Sequence, residues 1–344
     1  MLIYNHIEHY NINSEVSLRD AFQWKFDHYS SSSWELSWLN NISILQDKVC
    51  ETLLRPNEIK RSIQALSSII EFHKEIFHQY LQSNKYDEIF SKICYRSPLN
   101  QIVCQYIEPL VGLLRDPLTI CEYDNIPSNL QIDEEAAMQS KRFFLLGPSA
   151  PYQNYQTPSK IIAPWLYRQG SQKILFDIGC SLFTGTTNET GSSSLTGARW
   201  FYEYFRSHSL HFDRIIAFDR ANYPPHVYWK QIPADLMGIL TYISVGVESN
   251  GKYNPWNILK TIAKRDDYVL IKLDIDTPTL EMELVEQLIK NTSISSLIDE
   301  MFFEMHVTVK EMKPYWTEPP GELKDTYKLF KKLRQMGIRM HSWP

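Results

Sequence analysis

The sequence predicts an α/β fold built on a doubly wound, mostly parallel sheet, preceded by a helical N-terminal domain. Three observations carry this prediction. From about residue 171, short apolar runs alternate with amphipathic stretches, the pattern of parallel strands joined by helical crossovers. The first of these runs ends in an acid and a glycine turn, and later runs also end in acids. Before about residue 135, apolar residues recur with a helical period.

Six strands are predicted in the second part of the chain, because each run is short, apolar and rich in β-branched or aromatic residues. They are Ile174–Ile178, Arg214–Phe218, Leu240–Val247, Tyr268–Ile275, Met301–Val307 and Ile338–Ser342. Helices are predicted between them at Thr196–Ser207, Trp256–Lys264, Thr279–Lys290 and Leu323–Met336. We predict a helical domain over residues 1–135 and the α/β domain over 136–344.

Apolar periodicity predicts four helices in the first third of the chain. They cover Ser17–Tyr29, Pro56–Leu81, Tyr86–Cys94 and Leu99–Leu114. Pro109 should kink or split the last of them, because proline removes a helical hydrogen bond.

Composition argues against several classes of partner. The net charge of −5 disfavours nucleic acid or an anionic membrane as the main partner. Neither a transmembrane run of about 18 apolar residues nor a signal peptide is expected. The five cysteines are scattered and lack a C-x-x-C pair, so we expect no disulfide framework, no zinc site and a cytoplasmic protein. The sequence does not predict an oligomeric state.

The most informative motif is the strand that ends in Asp177 and turns at Gly179. Glycine lets the backbone bend sharply and approach a ligand closely. Because ligands of open α/β sheets bind beyond the carboxyl ends of the strands, this turn predicts a site for a nucleotide-like cofactor. Ser181 offers a hydroxyl that could bind the cofactor or cap the following helix.

The second predicted strand ends in Asp219, where an acid can accept hydrogen bonds from both hydroxyls of a ribose. The alternative is a surface acid that caps a turn. Asp219 follows Gly179 by more than the usual spacing of about 20 residues. A polar insertion, Thr186–Ser194, occupies the difference and could fold over the cofactor.

A third motif places three charges on one face of the strand that begins at Tyr268, because strand side chains alternate. We interpret Lys272 and Asp274 as a structural ion pair. Asp276 comes last, before Pro278, and is therefore best placed to meet a substrate or a metal.

Glu304 and His306 share a face of the next predicted strand, which should lie beside the strand with Asp274 and Asp276. Such a cluster could bind a divalent metal. It could equally be an acid/base group in which His306 removes a proton from a hydroxyl, or a structural hydrogen-bonded cluster. Among these alternatives we predict Asp276, Glu304 and His306 as catalytic residues and no metal.

Residues 174–342 resemble class I S-adenosylmethionine-dependent methyltransferases, most closely the FkbM type. The family's motifs are a strand ending in D-x-G-A-N, a strand ending in an acid, a strand reading K-h-D-h-E-G-x-E (h, apolar) and a strand ending near h-E-h. The matching stretches are Asp177–Ser181, Ala217–Asp219, Lys272–Asp276 with Glu281 beyond, and Phe303–His306. This sequence departs from the pattern at Cys180-Ser181 and at Thr277-Pro278. Arg142–Leu146 is a candidate for the family's seventh strand.

The resemblance implies a Rossmann-like domain that binds S-adenosylmethionine and methylates an oxygen of a small molecule or sugar. Asp177 and Gly179 would line the methionine end of the cofactor and Asp219 would hold its ribose. The complete set of predicted cofactor-binding residues is Asp177, Gly179, Cys180, Ser181, Asp219, Arg220 and Asp274. Two alternatives stay open: a metal-dependent glycosyltransferase that uses Asp274-Ile-Asp276 as a D-x-D motif, and a catalytically inactive scaffold of the same fold.

Overall fold

The computed structural model describes residues 25–42, 90–96, 100–110, 171–184, 197–207, 210–306 and 321–343. Its strands are β1 Lys25–Ser30, β2 Ser91–Arg96, β3 Ile102–Ile107, β4 Lys173–Ile178, β5 Arg214–Phe218, β6 Leu240–Ile243, β7 Tyr268–Leu273, β8 Glu300–Phe303 and β9 Arg339–Ser342. Its helices are α1 Ser33–Asn40, α2 Gly197–Ser207, α3 Pro225–Lys230, α4 Pro255–Ile262, α5 Pro278–Lys290, α6 Thr292–Ser295 and α7 Leu323–Gln335.

The predicted α/β fold is confirmed by a six-stranded sheet in the order β6-β5-β4-β7-β8-β9, in which every pair of neighbours is parallel. All six predicted strands are present, and β6, β7 and β8 end earlier than predicted. Because β4 lies between β5 and β7, the chain winds to one side of β4 first and then to the other. The point at which the winding direction changes, where open α/β sheets bind ligands, therefore lies beyond the carboxyl ends of β4 and β7.

Helices cover both faces of this sheet, since its central strands are apolar on both sides. On one face, Ile174, Phe176 and Ile178 of β4 pack in a core to which α4, α5 and α7 contribute. On the other face, Leu175 packs in a core with aromatic residues of α2 and α3. All four helices predicted between the strands are present, with bounds shifted by at most two residues.

Three of the four predicted N-terminal helices, Ser17–Tyr29, Tyr86–Cys94 and Leu99–Leu114, are wrong where the structure describes them. Tyr29, Cys94 and the centre of Leu99–Leu114 lie in strands, and β1, β2 and β3 form an antiparallel sheet in that order. Apolar runs of about six residues fit a buried helix or a strand equally well, so periodicity could not separate them. Pro109 follows β3 and kinks no helix. The predicted helix Pro56–Leu81, the domain boundary near 135 and Arg142–Leu146 lie outside the described residues.

A single disulfide joins Cys94 and Cys104, a pair that the sequence did not predict. The two residues are direct partners across β2 and β3. The number and spacing of cysteines could not show this, because only the hairpin register brings the two sulfurs together. Cysteine usage therefore does not support a reducing compartment. In the part of the chain that the structure describes, no helix is long and apolar enough to cross a membrane.

Buried charges join the antiparallel sheet to the α/β unit. The Arg334 guanidinium of α7 donates to the Glu108 main-chain carbonyl at 2.8 Å and lies 3.6 Å from the Glu35 carboxylate. His341 of β9 lies between Glu108, at 2.6 Å, and Glu300 of β8, at 2.7 Å. Both units therefore share one buried, compensated charge network.

Candidate functional site

The candidate site lies at the carboxyl ends of β4 and β7, where the turn after β4 and the loop after β7 approach each other closely. Gly179 adopts a φ of 84°, and a Cβ built on it would lie 1.6 Å from the Asp274 carbonyl oxygen. The Asp274 N–H donates to the Ile178 carbonyl at 3.0 Å. This position therefore accepts no side chain, and its backbone bends sharply, as the sequence predicted for Gly179.

Asp219 ties the glycine turn to the end of β5. Its carboxylate accepts the Ser181 N–H at 2.6 Å through one oxygen and the Ala221 N–H at 2.5 Å through the other. The N–H groups of Gly179 and Cys180 both donate to the Phe218 carbonyl. Asp219 is half-buried, and a carboxylate has about four acceptor positions, so it can hold the turn and still accept from a ligand.

Asp177 does not reach the surface of the site. Its carboxylate is buried, lies 3.6 Å from the Lys272 ammonium, and faces Gly197, where α2 begins. Burial raises the pKa of Asp177, although Lys272 and the Ala198 N–H act in the opposite direction. In this structure Asp177 supports the turn from beneath and presents no oxygen to solvent.

Lys272 connects three parts of the site, and its predicted ion pair with Asp274 is confirmed. The ammonium lies 3.0 Å from the Asp274 carboxylate and donates to the Gly179 carbonyl at 2.5 Å. Burial alone would raise the pKa of Asp274, but Lys272 and a hydrogen bond with the Glu304 side chain hold it below its usual value. The loop after β7 is thus fixed by a buried cation.

Asp276, Glu304 and His306 come together beyond the ends of β7 and β8, as predicted. His306 Nε2 lies 3.5 Å from Asp276 Oδ1 and 3.9 Å from Glu304 Oε2. His306 Nδ1 donates to the Glu281 carboxylate at 2.9 Å, since a carboxylate can only accept. The other Glu281 oxygen accepts the Ile275 N–H at 2.8 Å. The imidazole is therefore held in one orientation.

Exposure differs sharply within this cluster. The Asp276 side chain is 76% exposed, whereas His306 and Glu281 are buried. Burial alone would lower the pKa of His306, but Asp276, Glu281 and Glu304 outweigh it and raise the pKa to about 10. In the absence of another cation, His306 holds a proton at neutral pH, and Asp276 is the group that a ligand can reach.

Two non-glycine residues of the site have left-handed backbones. Ser181 has a φ of 54° and Asp276 a φ of 52°. This region costs about 1–2 kcal/mol for most residues and is found disproportionately at functional sites. One such residue follows β4 and the other follows β7, so both lie at the same rim of the sheet.

The remaining predicted residues have less direct positions. Cys180 is buried, and burial raises the pKa of its thiol well above the usual value. Arg220 is exposed, and its side chain lies near Gly246. Sequence reasoning assigned no role to Glu281, although its place in the first turn of α5 was a usable signal.

Comparisons of the chain with protein-family models, with curated proteins and with solved structures found no match.

Proposed function

We propose that this protein is an S-adenosylmethionine-dependent methyltransferase with a Rossmann-like domain, acting on an oxygen of a small molecule or sugar. The observation that carries the proposal is the close approach of the Gly179 backbone to the Asp274 carbonyl oxygen, beyond the ends of β4 and β7. The strand order, counted from β4, is 3-2-1-4-5-6, which is the doubly wound order whose ligands bind at this point of the sheet.

The residues at this rim fit the proposed cofactor. Gly179 lets the turn after β4 and the loop after β7 approach through backbone atoms, and Asp219 can accept from ribose hydroxyls. A sulfonium is a cation, and the rim carries the carboxylates of Asp274, Asp276 and Glu304. Opposite charges at short range favour its binding in a partly desolvated site.

The chain's own residues would position the acceptor and take up its proton. When bound, S-adenosylmethionine would supply a methyl group on a positively charged sulfur. Asp276 would accept the proton that the acceptor hydroxyl loses on methylation, because its carboxylate is exposed. His306 and Glu304 are buried behind Asp276, so we assign them to positioning it. Orientation of the acceptor would provide much of the rate.

A glycosyltransferase is less well supported by the contacts. A D-x-D motif binds a metal through two nearby aspartates, but Asp274 is paired with the buried ammonium of Lys272 at 3.0 Å, whereas Asp276 is not. The two aspartates therefore have different partners.

Thermal unfolding of the full chain with different ligands distinguishes the candidates. The proposal expects S-adenosylhomocysteine to raise Tm in a concentration-dependent manner, and uridine diphosphate with Mn²⁺ to add nothing to the effect of Mn²⁺ alone. The reverse result would favour a glycosyltransferase. Stabilisation by neither ligand would contradict both and favour the scaffold. A cytoplasmic location stays a prediction, which the Cys94–Cys104 disulfide does not favour.

A further inference from the structure

The cluster of Asp276, Glu304 and His306, which the proposed function uses at the acceptor, also has the compact geometry of a metal site. One ligand atom of each residue lies within 4.8 Å of the others. The atoms are Asp276 Oδ1, Glu304 Oε2 and His306 Nε2, so an imidazole nitrogen and two carboxylate oxygens face one point. When Nε2 carries no proton, all three atoms are electron-pair donors, and a cation between them would replace the positive charge of the imidazolium.

The separations of these atoms are compatible with ligands around a single metal ion. The separations from His306 Nε2 are 3.5 Å to Asp276 and 3.9 Å to Glu304. Two ligands that each lie about 2.1 Å from a tetrahedral metal are about 3.4 Å apart, which is close to the observed spacing.

Glu281 completes the arrangement from behind. In metal sites, the second nitrogen of a ligating histidine commonly donates to a carboxylate, which fixes the ring and its tautomer. Glu281 does this for His306 at 2.9 Å, and it is itself fixed by the Ile275 N–H at 2.8 Å. The nitrogen that faces Asp276 and Glu304 is therefore Nε2.

We propose that Asp276, Glu304 and His306 form a binding site for a divalent transition-metal cation, with Glu281 positioning the imidazole. One imidazole with two carboxylates suits Mn²⁺ or Zn²⁺ better than Ca²⁺, which prefers oxygen ligands alone. The exposed side of Asp276 leaves room for water or an acceptor oxygen on the ion. No ligand atom comes from the glycine turn, so metal binding can be tested whether or not the proposed cofactor binds.

A second group among the described residues, His28, Cys94 and Cys104, is also compact enough to hold a metal. Its two sulfurs are joined in the disulfide, so they offer no thiolate. The test therefore uses the oxidised protein, and Mn²⁺ is the main probe because thiolates favour softer ions.

Asp276→Asn is the decisive variant. It removes the charge at an exposed position, and asparagine tolerates the φ of 52°. Asp213→Asn is the matched control, since this exposed acid lies before β5, at the opposite end of the sheet. After chelator treatment of the full chain, calorimetric titration with MnCl₂ should show one saturable site in the native protein and in Asp213→Asn. Asp276→Asn should weaken it by about 100-fold or more.

Electron spin-echo spectroscopy of bound Mn²⁺ identifies the ligands of the ion, and this readout does not depend on the stability of the variant. We expect modulation from an imidazole ¹⁴N in the native protein and its loss in His306→Gln. Absence of a saturable Mn²⁺ or Zn²⁺ site, or equal Mn²⁺ affinity in Asp276→Asn and the native protein, would overturn the proposal. Neither result depends on whether S-adenosylhomocysteine binds.

Discussion

The Asp274 carbonyl oxygen lies where a side chain on Gly179 would begin, 1.6 Å from the position of a Cβ. The turn after β4 and the loop after β7 thus touch through backbone atoms. Lys272 strengthens the contact by donating to the Gly179 carbonyl while pairing with the Asp274 carboxylate. The contact between the turn and the loop therefore depends on the absence of a side chain at Gly179 and on the buried ammonium of Lys272.

Gly179→Ala should destabilise the fold strongly. The added methyl group overlaps backbone and the residue must keep a φ of 84°, so we expect a loss of about 3 kcal/mol or more in unfolding free energy. Gly238→Ala is the control, because no atom lies within 4 Å of its Cβ position, and it should change stability by at most about 1 kcal/mol. Urea denaturation measures the unfolding free energy of both variants. Equal values for Gly179→Ala and Gly238→Ala would contradict the close approach at Gly179.

Asp219→Ala should weaken S-adenosylhomocysteine binding by 10-fold or more, because it removes the acceptor for the ribose and loosens the turn. Asp213→Ala is a matched control. Asp213 accepts the Lys173 N–H at 2.7 Å at the start of β4, as Asp219 accepts the Ser181 N–H at 2.6 Å beyond its end. Isothermal titration should find affinity unchanged in the Asp213 variant. An unchanged affinity in Asp219→Ala would remove Asp219 from the cofactor site.

Lys272→Met should cost about 3–5 kcal/mol of unfolding free energy, because it leaves the buried Asp177 carboxylate without its compensating cation. Adding Asp177→Asn should recover part of that loss, since the amide carries no charge. Denaturation of the two single variants and the double variant gives their coupling energy, which we expect to be at least about 1 kcal/mol. Additive losses would mean that Lys272 does not act on Asp177.

The α/β part of the fold could be predicted because its signals are local. Strands buried on both faces are continuous apolar runs, and Pro255 and Pro278 mark helix starts at N1 or N2. The antiparallel sheet could not, because Ser91–Arg96 and Ile102–Ile107 are too short for their period to be decisive. Their pairing depends on the register of the two strands, which the amino-acid composition of the segments does not show.

The same distinction applies to the site. Asp219, Asp276 and His306 were predictable, because carboxyl ends of parallel strands meet at one edge. The hydrogen bond from His306 to Glu281 was not, since it joins the segment after β8 to the first turn of α5. That contact is tertiary, and it decides which ring nitrogen faces the carboxylates.

The Cys94–Cys104 disulfide gives a prediction about redox state. Closing a loop of about ten residues should contribute about 3 kcal/mol. Dithiothreitol should therefore lower the unfolding free energy of the native protein by that order and leave a Cys94→Ala, Cys104→Ala double variant unchanged. Peptide mapping without reductant should recover the linked pair. Free thiols at both positions in protein purified without reductant would contradict the structure.

His341 makes stability depend on pH through the network between the two sheets. It is buried between Glu108 and Glu300, and these carboxylates also lie near Arg334 and Arg339. Burial alone would lower the pKa of His341, but Glu108 and Glu300 outweigh it and raise the pKa. A proton on the imidazole thus favours the folded state.

The pKa of His341 is raised in the folded protein, so the stability that its bound proton contributes is fully present below the unfolded pKa of about 6.5. This contribution is lost as pH rises through the folded pKa. Unfolding free energy should therefore fall with rising pH above 6.5, by at most about 1.4 kcal/mol per pH unit for this one proton. His306, whose pKa is also raised, adds a second decline up to about pH 10.

Urea titrations from pH 6 to 9 should show a shallower slope for His341→Gln, while His211→Gln, at an exposed position, keeps the native slope. Parallel slopes in all three proteins would mean that His341 gains no proton affinity on folding.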